Sequence, residues 1–135
     1  MSWTDKFKSE WITKKITREA VDFADKFGKY LRDNFLSSSQ LRNIFGEIKR
    51  IQMQLKSTPN LDEQKKYHTK FILLKPKLAY AAGRLRNKGL NEFKAVFDLA
   101  HDAVGELDEN FPTRYKNFVD FIEAILAYHR AHGGR

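Results

Sequence analysis

The sequence predicts an all-α protein, a compact bundle of about five helices in which one helix is kinked or broken near Pro76. Apolar residues in every long segment recur at spacings of three and four, the period of an amphipathic helix, and none alternates with period two. The chain holds only 7 glycines and 3 prolines, too few for the many turns of a β protein. Its 135 residues are the length of one domain, so we expect a single helical domain over residues 1–135.

The composition excludes several classes of protein. Hydrophobic residues make up 41% of the chain, which is enough for one modest core. Cysteine is absent, which excludes disulfide bonds, a thiol nucleophile and Cys-ligated metal sites, and is compatible with a reducing compartment. No apolar run approaches the ~20 residues of a membrane-spanning helix. We therefore expect a cytoplasmic protein.

The first segment, Met1–Ile16, carries Trp3, Phe7 and Trp11 four residues apart, which places them on one face of a helix among lysines. A basic aromatic helix of this kind can form an appendage that lies on a membrane or binds a partner. It can also dock on the core of its own protein, which is the interpretation we favour.

The next two segments each begin at a hydroxyl side chain. Thr17 is a suitable N-cap for a helix that runs to about Asn34. The serines at 37–39 interrupt the chain and can cap a helix that runs to about Lys56. Each helix carries an apolar stripe that we expect in the core: Ala20, Phe23, Ala24, Phe27 and Leu31 in the first, and Leu41, Ile44, Phe45, Ile48, Ile51 and Leu55 in the second.

After a loop at 57–60, the helical pattern resumes at Asp62 and continues to about Gly89. Pro76 lies inside this pattern, where it removes an amide donor and clashes with the preceding turn. We therefore expect a kink or a break there. A further helix is expected over 90–107, and Pro112 marks the start of the last one, because proline suits the first helical position.

Positive charge is concentrated in the middle of the chain. The net charge is +8, yet residues 37–89 alone contain 12 basic and 3 acidic residues. Helical spacing places Arg42, Lys49 and Lys56 on one face, with Arg50 beside them, and we expect that face to be exposed. In the following stretch Lys66, Lys70 and Lys77 lie on a similar line, and Lys77, Arg84 and Lys88 share a face. If the two helices are neighbours, these residues form one basic strip.

A polyanion is the ligand that such a strip favours, because each neutralised phosphate releases condensed counterions. Arginine adds bidentate phosphate contacts. The alternative is a solvated charged face without a ligand. Since the sequence shows no aromatic ladder beside the strip, we expect contacts to the phosphate backbone rather than to bases.

Acidic residues also share a face. Asp98, Asp102, Glu106 and Glu109 follow each other at spacings of four, four and three, which places them on one face of one helix. They form either a solvated surface or a docking face for a basic patch on another copy. Asp98 and Asp102 with His101 could be imagined as metal ligands, but the Glu-x-x-His repeat of bundle metal sites is absent.

Catalytic chemistry is not indicated. The sequence has no Gly-rich phosphate loop, no Gly-x-Ser-x-Gly and no His-Glu-x-x-His motif. The four histidines are scattered, and we expect His129 and His132, close to the fraying end of the last helix at Gly133, to lie on the surface. The sequence therefore predicts a protein that is not an enzyme and that needs no cofactor or metal.

Three segments resemble the small subunit of type III-A CRISPR effector complexes, the Csm interference complex. They are Ser38–Phe45, with the sequence SSQLRNIF, Leu73–Arg84, with LLKPKLAYAAGR, and Phe118–His129, with FxxFIEAILAYH. They occur in the order of that family and are spread over most of residues 17–132, and the KPKLAYAAGR block is the most specific. The segment Met1–Ile16 is not covered.

The resemblance implies a small, non-catalytic helical subunit of an RNA-guided antiviral complex, several copies of which line up along the guide and target RNA. The implied partners are crRNA and single-stranded target RNA, the backbone and large subunits, and further copies of the chain. Arg42, Lys75, Lys77 and Arg84 fall in the matching segments and are the best candidates for contacts to RNA phosphates. The complete candidate set is Arg42, Lys49, Arg50, Lys56, Lys70, Lys75, Lys77, Arg84 and Lys88, called the basic strip below.

The sequence is compatible with two other functions. A protein–protein adaptor could pair the basic strip with an acidic surface, such as the acidic helix of a second copy. A peripheral membrane protein could be anchored by Trp3, Phe7 and Trp11.

Overall fold

The computed structural model describes residues 2–135 and confirms the all-α class; Met1, the first residue of the predicted N-terminal segment, lies outside the described residues. Eight α-helical segments and one short 3₁₀ helix follow each other in the described part of the chain. They are α1 (Trp3–Lys6), α2 (Glu10–Thr13), α3 (Arg18–Asp33), the 3₁₀ helix (Ser38–Gln40), α4 (Arg42–Lys56), α5 (Leu61–Ile72), α6 (Leu74–Leu85), α7 (Lys88–Val104) and α8 (Phe111–Ala131).

The expected number of about five helices is too low. Six segments, α3 to α8, are between 12 and 21 residues long, and α1 and α2 add one turn each. The difference arises mainly because the single predicted helix across Pro76 is two separate helices. Among residues 2–135, no helix is both long and apolar enough to cross a membrane.

The break near Pro76 falls at Leu73, between the end of α5 at Ile72 and the start of α6. Pro76 is thus the third residue of α6, within the first turn. The first amides of a helix have no carbonyl partner inside it, so a proline there loses no hydrogen bond. Separating the two helices at Leu73 therefore removes the conflict that proline would create inside one continuous helix.

The boundary between α6 and α7 differs from the expected one at Gly89. Arg86 adopts a left-handed conformation with φ of 49° and ends α6, and the Asn87 side chain caps α7 by accepting a hydrogen bond from the Leu90 amide at 2.9 Å. Gly89 lies inside the first turn of α7, where an added Cβ would stand 2.8 Å from the carbonyl oxygen of Asn34. Its role is therefore close packing against the end of α3, since the turn itself is made by Arg86 and Asn87.

Helix α8 is the centre of the bundle. It packs along α3 and also contacts α2, α4 and α7. Buried side chains occur on more than one of its faces, as expected for a helix surrounded by others. At the crossing with α3, Gly28 has no side chain because a Cβ would lie 2.6 Å from the backbone nitrogen of His129.

The N-terminal aromatic residues pack on this core. Trp3 and Trp11 contact Phe23 of α3 with ring centroids 5.6 and 5.3 Å apart, and Phe7 contacts Phe121 of α8 at 5.5 Å. The expected single helical face is wrong, because the chain leaves the helix after Lys6 and forms two separate one-turn helices. Within residues 2–16, the aromatic side chains are thus used for packing inside the molecule.

The expectation that His129 lies on the surface is wrong. The side chain is fully buried, and its Nε2–H donates to the carbonyl oxygen of Leu36 at 2.6 Å. The chain end folds back so that Gly134 lies against the imidazole ring, which explains how a residue close to the terminus becomes buried. His132 is partly exposed and pairs with Asp25 at 2.6 Å.

His101 is buried as well, and it predicts a dependence of stability on pH. Its Nε2–H donates to the carbonyl of Phe71 at 2.8 Å, and burial lowers the pKa of the ring because desolvation disfavours the imidazolium. The native ring therefore stays neutral at pH values where the unfolded chain binds a proton. The contribution of His101 to the free energy of unfolding should be full above about pH 6.5 and should decrease as the pH falls below that value.

Urea unfolding of the wild type and of His101→Gln at about pH 7.5 and about pH 5.5 measures this contribution. Glutamine can still donate to the Phe71 carbonyl but does not titrate. We expect the wild type to lose more stability between the two pH values than the variant does. Equal losses would show that another group governs the acid side of the profile.

Candidate nucleic-acid interface

Helix α4 presents cations on its outer face because its apolar stripe is buried. Ile44, Ile48, Ile51 and Leu55 point into the core. Arg42, Lys49, Arg50 and Lys56 are exposed, as the helical spacing predicts. They do not all face the same neighbour, however, since α4 lies between α6 on one side and α8 on the other.

A groove of about 710 Å³ runs between α4 and α6 and collects three residues of the basic strip, Arg50, Lys77 and Arg84. We call it the α4–α6 groove. Helix α4 contributes Asn43, Ile44, Glu47 and Arg50, the 3₁₀ helix contributes Ser39 and Gln40, and α6 contributes Pro76, Lys77, Tyr80, Ala81, Arg84 and Leu85. The structure therefore brings together cations from two helices that are not consecutive, with all of α5 between them in the chain.

Glu47 lies among these cations. Its carboxylate accepts a hydrogen bond from the Arg50 guanidinium at 2.8 Å, and the ammonium of Lys77 lies 4.0 Å away. The Arg50 hydrogen bond, with the charges of Lys77, Arg50 and Lys70, lowers the pKa of Glu47, so the carboxylate is ionised at neutral pH. The Glu47 carboxylate orients the Arg50 side chain. One negative charge does not balance the four cations around it, Arg50, Lys70, Lys77 and Arg84, so the net charge of the group is positive.

Arg42 and Lys49 lie on the other flank of α4. Arg42 lines a shallow cleft between α4 and α8 together with Arg130, and Lys49 pairs with Glu123 of α8 at 3.3 Å. Both belong to a separate basic surface. Arg130 adds to this surface, and the sequence analysis did not identify it. Helical spacing places two residues on one face but does not say which neighbouring helix that face meets.

The remaining residues of the basic strip do not line the groove. Lys75 points toward α7, where it pairs with Asp102 at 2.5 Å. Lys56 is the last residue of α4, and it is exposed but does not line the groove. Lys88 lies in the first turn of α7, beyond the turn at Arg86, so the predicted face shared with Lys77 and Arg84 is wrong for Lys88.

The predicted face of four acids on one helix is wrong, because α7 ends at Val104, before Glu106 and Glu109. The acidic face of α7 therefore consists of Asp98 and Asp102, and both are paired within the molecule. Asp98 pairs with Lys94 at 2.6 Å, and Asp102 pairs with Lys75. These ion pairs leave less free negative charge for a second copy than the sequence suggests. Within residues 2–135, no three His, Asp or Glu side chains come together in a way that could hold a metal ion.

Sequence reasoning missed Tyr80. This residue lines the α4–α6 groove and is 72% exposed, and the Arg84 guanidinium lies 6.0 Å from its ring centroid. The signal was available, because Tyr80 precedes Arg84 by four residues and therefore shares its face of α6. The sequence indicated no aromatic ladder beside the basic strip, and Tyr80 is a single aromatic ring in the groove rather than a ladder.

Comparison with protein-family models finds a match. The family model described as Csm2 Type III-A matches residues 14–135. The matched region contains all six long helices and both walls of the α4–α6 groove, and it begins just after α2. No curated protein and no solved structure matches the chain.

Proposed function

The chain belongs to the Csm2 family, the small subunit of the type III-A CRISPR complex, and we propose that it binds the RNA backbone through the α4–α6 groove. The observation that carries the proposal is the convergence of Arg50, Lys77 and Arg84 on one exposed groove. Phosphate contacts of this kind add affinity without reading sequence, because every nucleotide presents the same charge. The proposed RNA is the guide RNA or the single-stranded target RNA of the complex.

The other residues of the basic strip differ in how directly they can contact RNA. Lys70 adds to the field around Glu47 and can contact a strand that leaves the groove. A second site for a phosphate lies on the α8 side of α4, where Arg42, Lys49 and Arg130 supply positive charge. Lys75 can contact RNA only if its ion pair with Asp102 opens. Lys56 and Lys88 can contact only an RNA strand that extends beyond the groove.

We extend the proposal to the compartment of the protein and to its neighbours in the complex. We propose that the chain acts as a non-catalytic subunit in the cytoplasm, next to the backbone subunits, the large subunit and further copies of itself. We also propose that residues 1–135 fold as one unit that includes the N-terminal segment, since Trp11 is buried against Phe23 and Phe121.

The salt dependence of RNA binding tests the proposal. With about 4–6 phosphate contacts, the plot of log Kobs against log salt concentration for a single strand should have a slope of about −3 to −4. Fluorescence anisotropy with labelled single-stranded RNAs of unrelated sequence measures the slope. Binding that is independent of salt, or that differs strongly between the sequences, contradicts backbone recognition.

The protein–protein adaptor is the other outcome of this experiment. If no RNA binds, but the chain self-associates in a salt-sensitive way, the basic strip pairs with protein acids instead. Sedimentation of the same samples over a concentration series reports this. The ion pairs of Asp98 and Asp102 argue against the acidic face of α7 as that partner.

A further inference from the structure

The composition of the α4–α6 groove exceeds what phosphate binding needs. Ile44, Pro76, Ala81 and Leu85 line it together with the cations, and Tyr80 adds an aromatic ring. Phosphate and ribose give such apolar and aromatic surface little to bind. Apolar and aromatic side chains beside placed polar groups are the usual lining of sites for small organic ligands.

We propose that the α4–α6 groove holds one unpaired nucleobase stacked on Tyr80, with the adjoining phosphates on Arg50, Lys77 and Arg84. The inference rests on the proposed function and adds to it a site for the base itself. Tyr80 is 72% exposed, so most of its ring is accessible to a planar ligand, although Arg84 lies 6.0 Å from the centroid. A volume of about 710 Å³ lies within the range of sites that enclose small organic ligands.

The chemistry of the pair Tyr80 and Arg84 fits a nucleotide. Every base has a π face, so stacking on tyrosine is tolerant of sequence and agrees with backbone recognition. The guanidinium can contact a phosphate on one side while it remains near the ring. Stacking requires a base that is free of its own neighbours, so the site selects a single strand over a duplex.

Two probes separate stacking from charge. One is a short oligoadenylate, and the other is an abasic oligomer with the same number of phosphates. We expect the full-length wild-type protein to bind oligoadenylate about tenfold more tightly than the abasic strand at equal salt. Tyr80→Ala should remove this preference and leave the affinity for the abasic strand unchanged, and Tyr80→Phe should retain it because the ring persists.

Ile72→Ala is the matched control, since Ile72 is an apolar residue that is 47% exposed and does not line the groove. It should keep the full preference for oligoadenylate. Equal affinity of the wild type for both strands overturns the stacking site and leaves backbone binding standing. A preference that survives Tyr80→Ala places the base elsewhere and also overturns it. If neither strand binds, the proposed function and this inference both fail.

Discussion

Replacing Phe71 with alanine is expected to lower the free energy of unfolding by about 3–5 kcal/mol. Phe71 is 1% exposed and lies at the end of α5, where α5, α7 and α8 meet. Its ring stacks on His101 at 3.9 Å and makes edge contacts with Phe111, Tyr115 and Phe118 at 5.6 to 5.7 Å. Alanine removes all four contacts and leaves a cavity among rigid rings that cannot easily close it.

Urea unfolding followed by circular dichroism measures this loss. Phe35→Ala serves as the control, because Phe35 is 81% exposed and should change stability by no more than about 0.5 kcal/mol. A loss below about 1 kcal/mol for Phe71→Ala would mean that the ring cluster repacks around the missing side chain and is not rigid. Since whole domains are stable by only about 5–15 kcal/mol, this loss is a large fraction of the total and should also lower the melting temperature clearly.

Reversing the three groove cations, in the combined variant Arg50→Glu, Lys77→Glu and Arg84→Glu, should weaken RNA binding by about a hundredfold or more. Each lost contact to a phosphate is expected to cost about 1 kcal/mol or more at an exposed site, and 1.4 kcal/mol corresponds to a factor of ten. The introduced carboxylates also join Glu47 in repelling the strand. The slope of the salt dependence should become less negative by about 2, because three phosphate contacts are lost.

A control variant separates the effect of the net charge from the effect of where the charges lie. Lys14→Glu, Lys15→Glu and Lys26→Glu together change the charge by the same amount at exposed residues outside the groove. This control variant should bind within a few-fold of the wild type at moderate salt, where distant charges are screened. Equal losses in the two variants would show that RNA senses the overall charge of the protein and not the α4–α6 groove. Far-UV circular dichroism confirms that both variants fold.

Much of the fold could be predicted from local sequence. Thr17 caps α3 by accepting a hydrogen bond from the Ala20 amide, as its position before an apolar stripe indicates. The apolar stripes of α3 and α4 are buried with few exceptions, and the chain breaks near Pro76. These features depend on interactions within one or two turns, which the order of residues specifies directly.

The predictions that were wrong concern contacts between residues that are far apart in the chain. Lys75 and Lys77 are two residues apart, yet one pairs with Asp102 of α7 and the other reaches Glu47 of α4. His129 is buried because the chain end returns over it and Leu36 offers a carbonyl. Neither outcome has a local signal, since both partners of each contact are far apart in the chain.

By itself, the sequence of this protein determined its helical class, the sides of α3 and α4 that face the core, the sign of its exposed charge and its family. Only the tertiary structure decided which exposed faces adjoin, so that Arg50, Lys77 and Arg84 share a groove with Tyr80 while Arg42 and Lys49 face α8. The physical reason is that periodicity specifies the rotation of a residue about its own helix axis. The packing of side chains between helices specifies how those axes are placed beside one another.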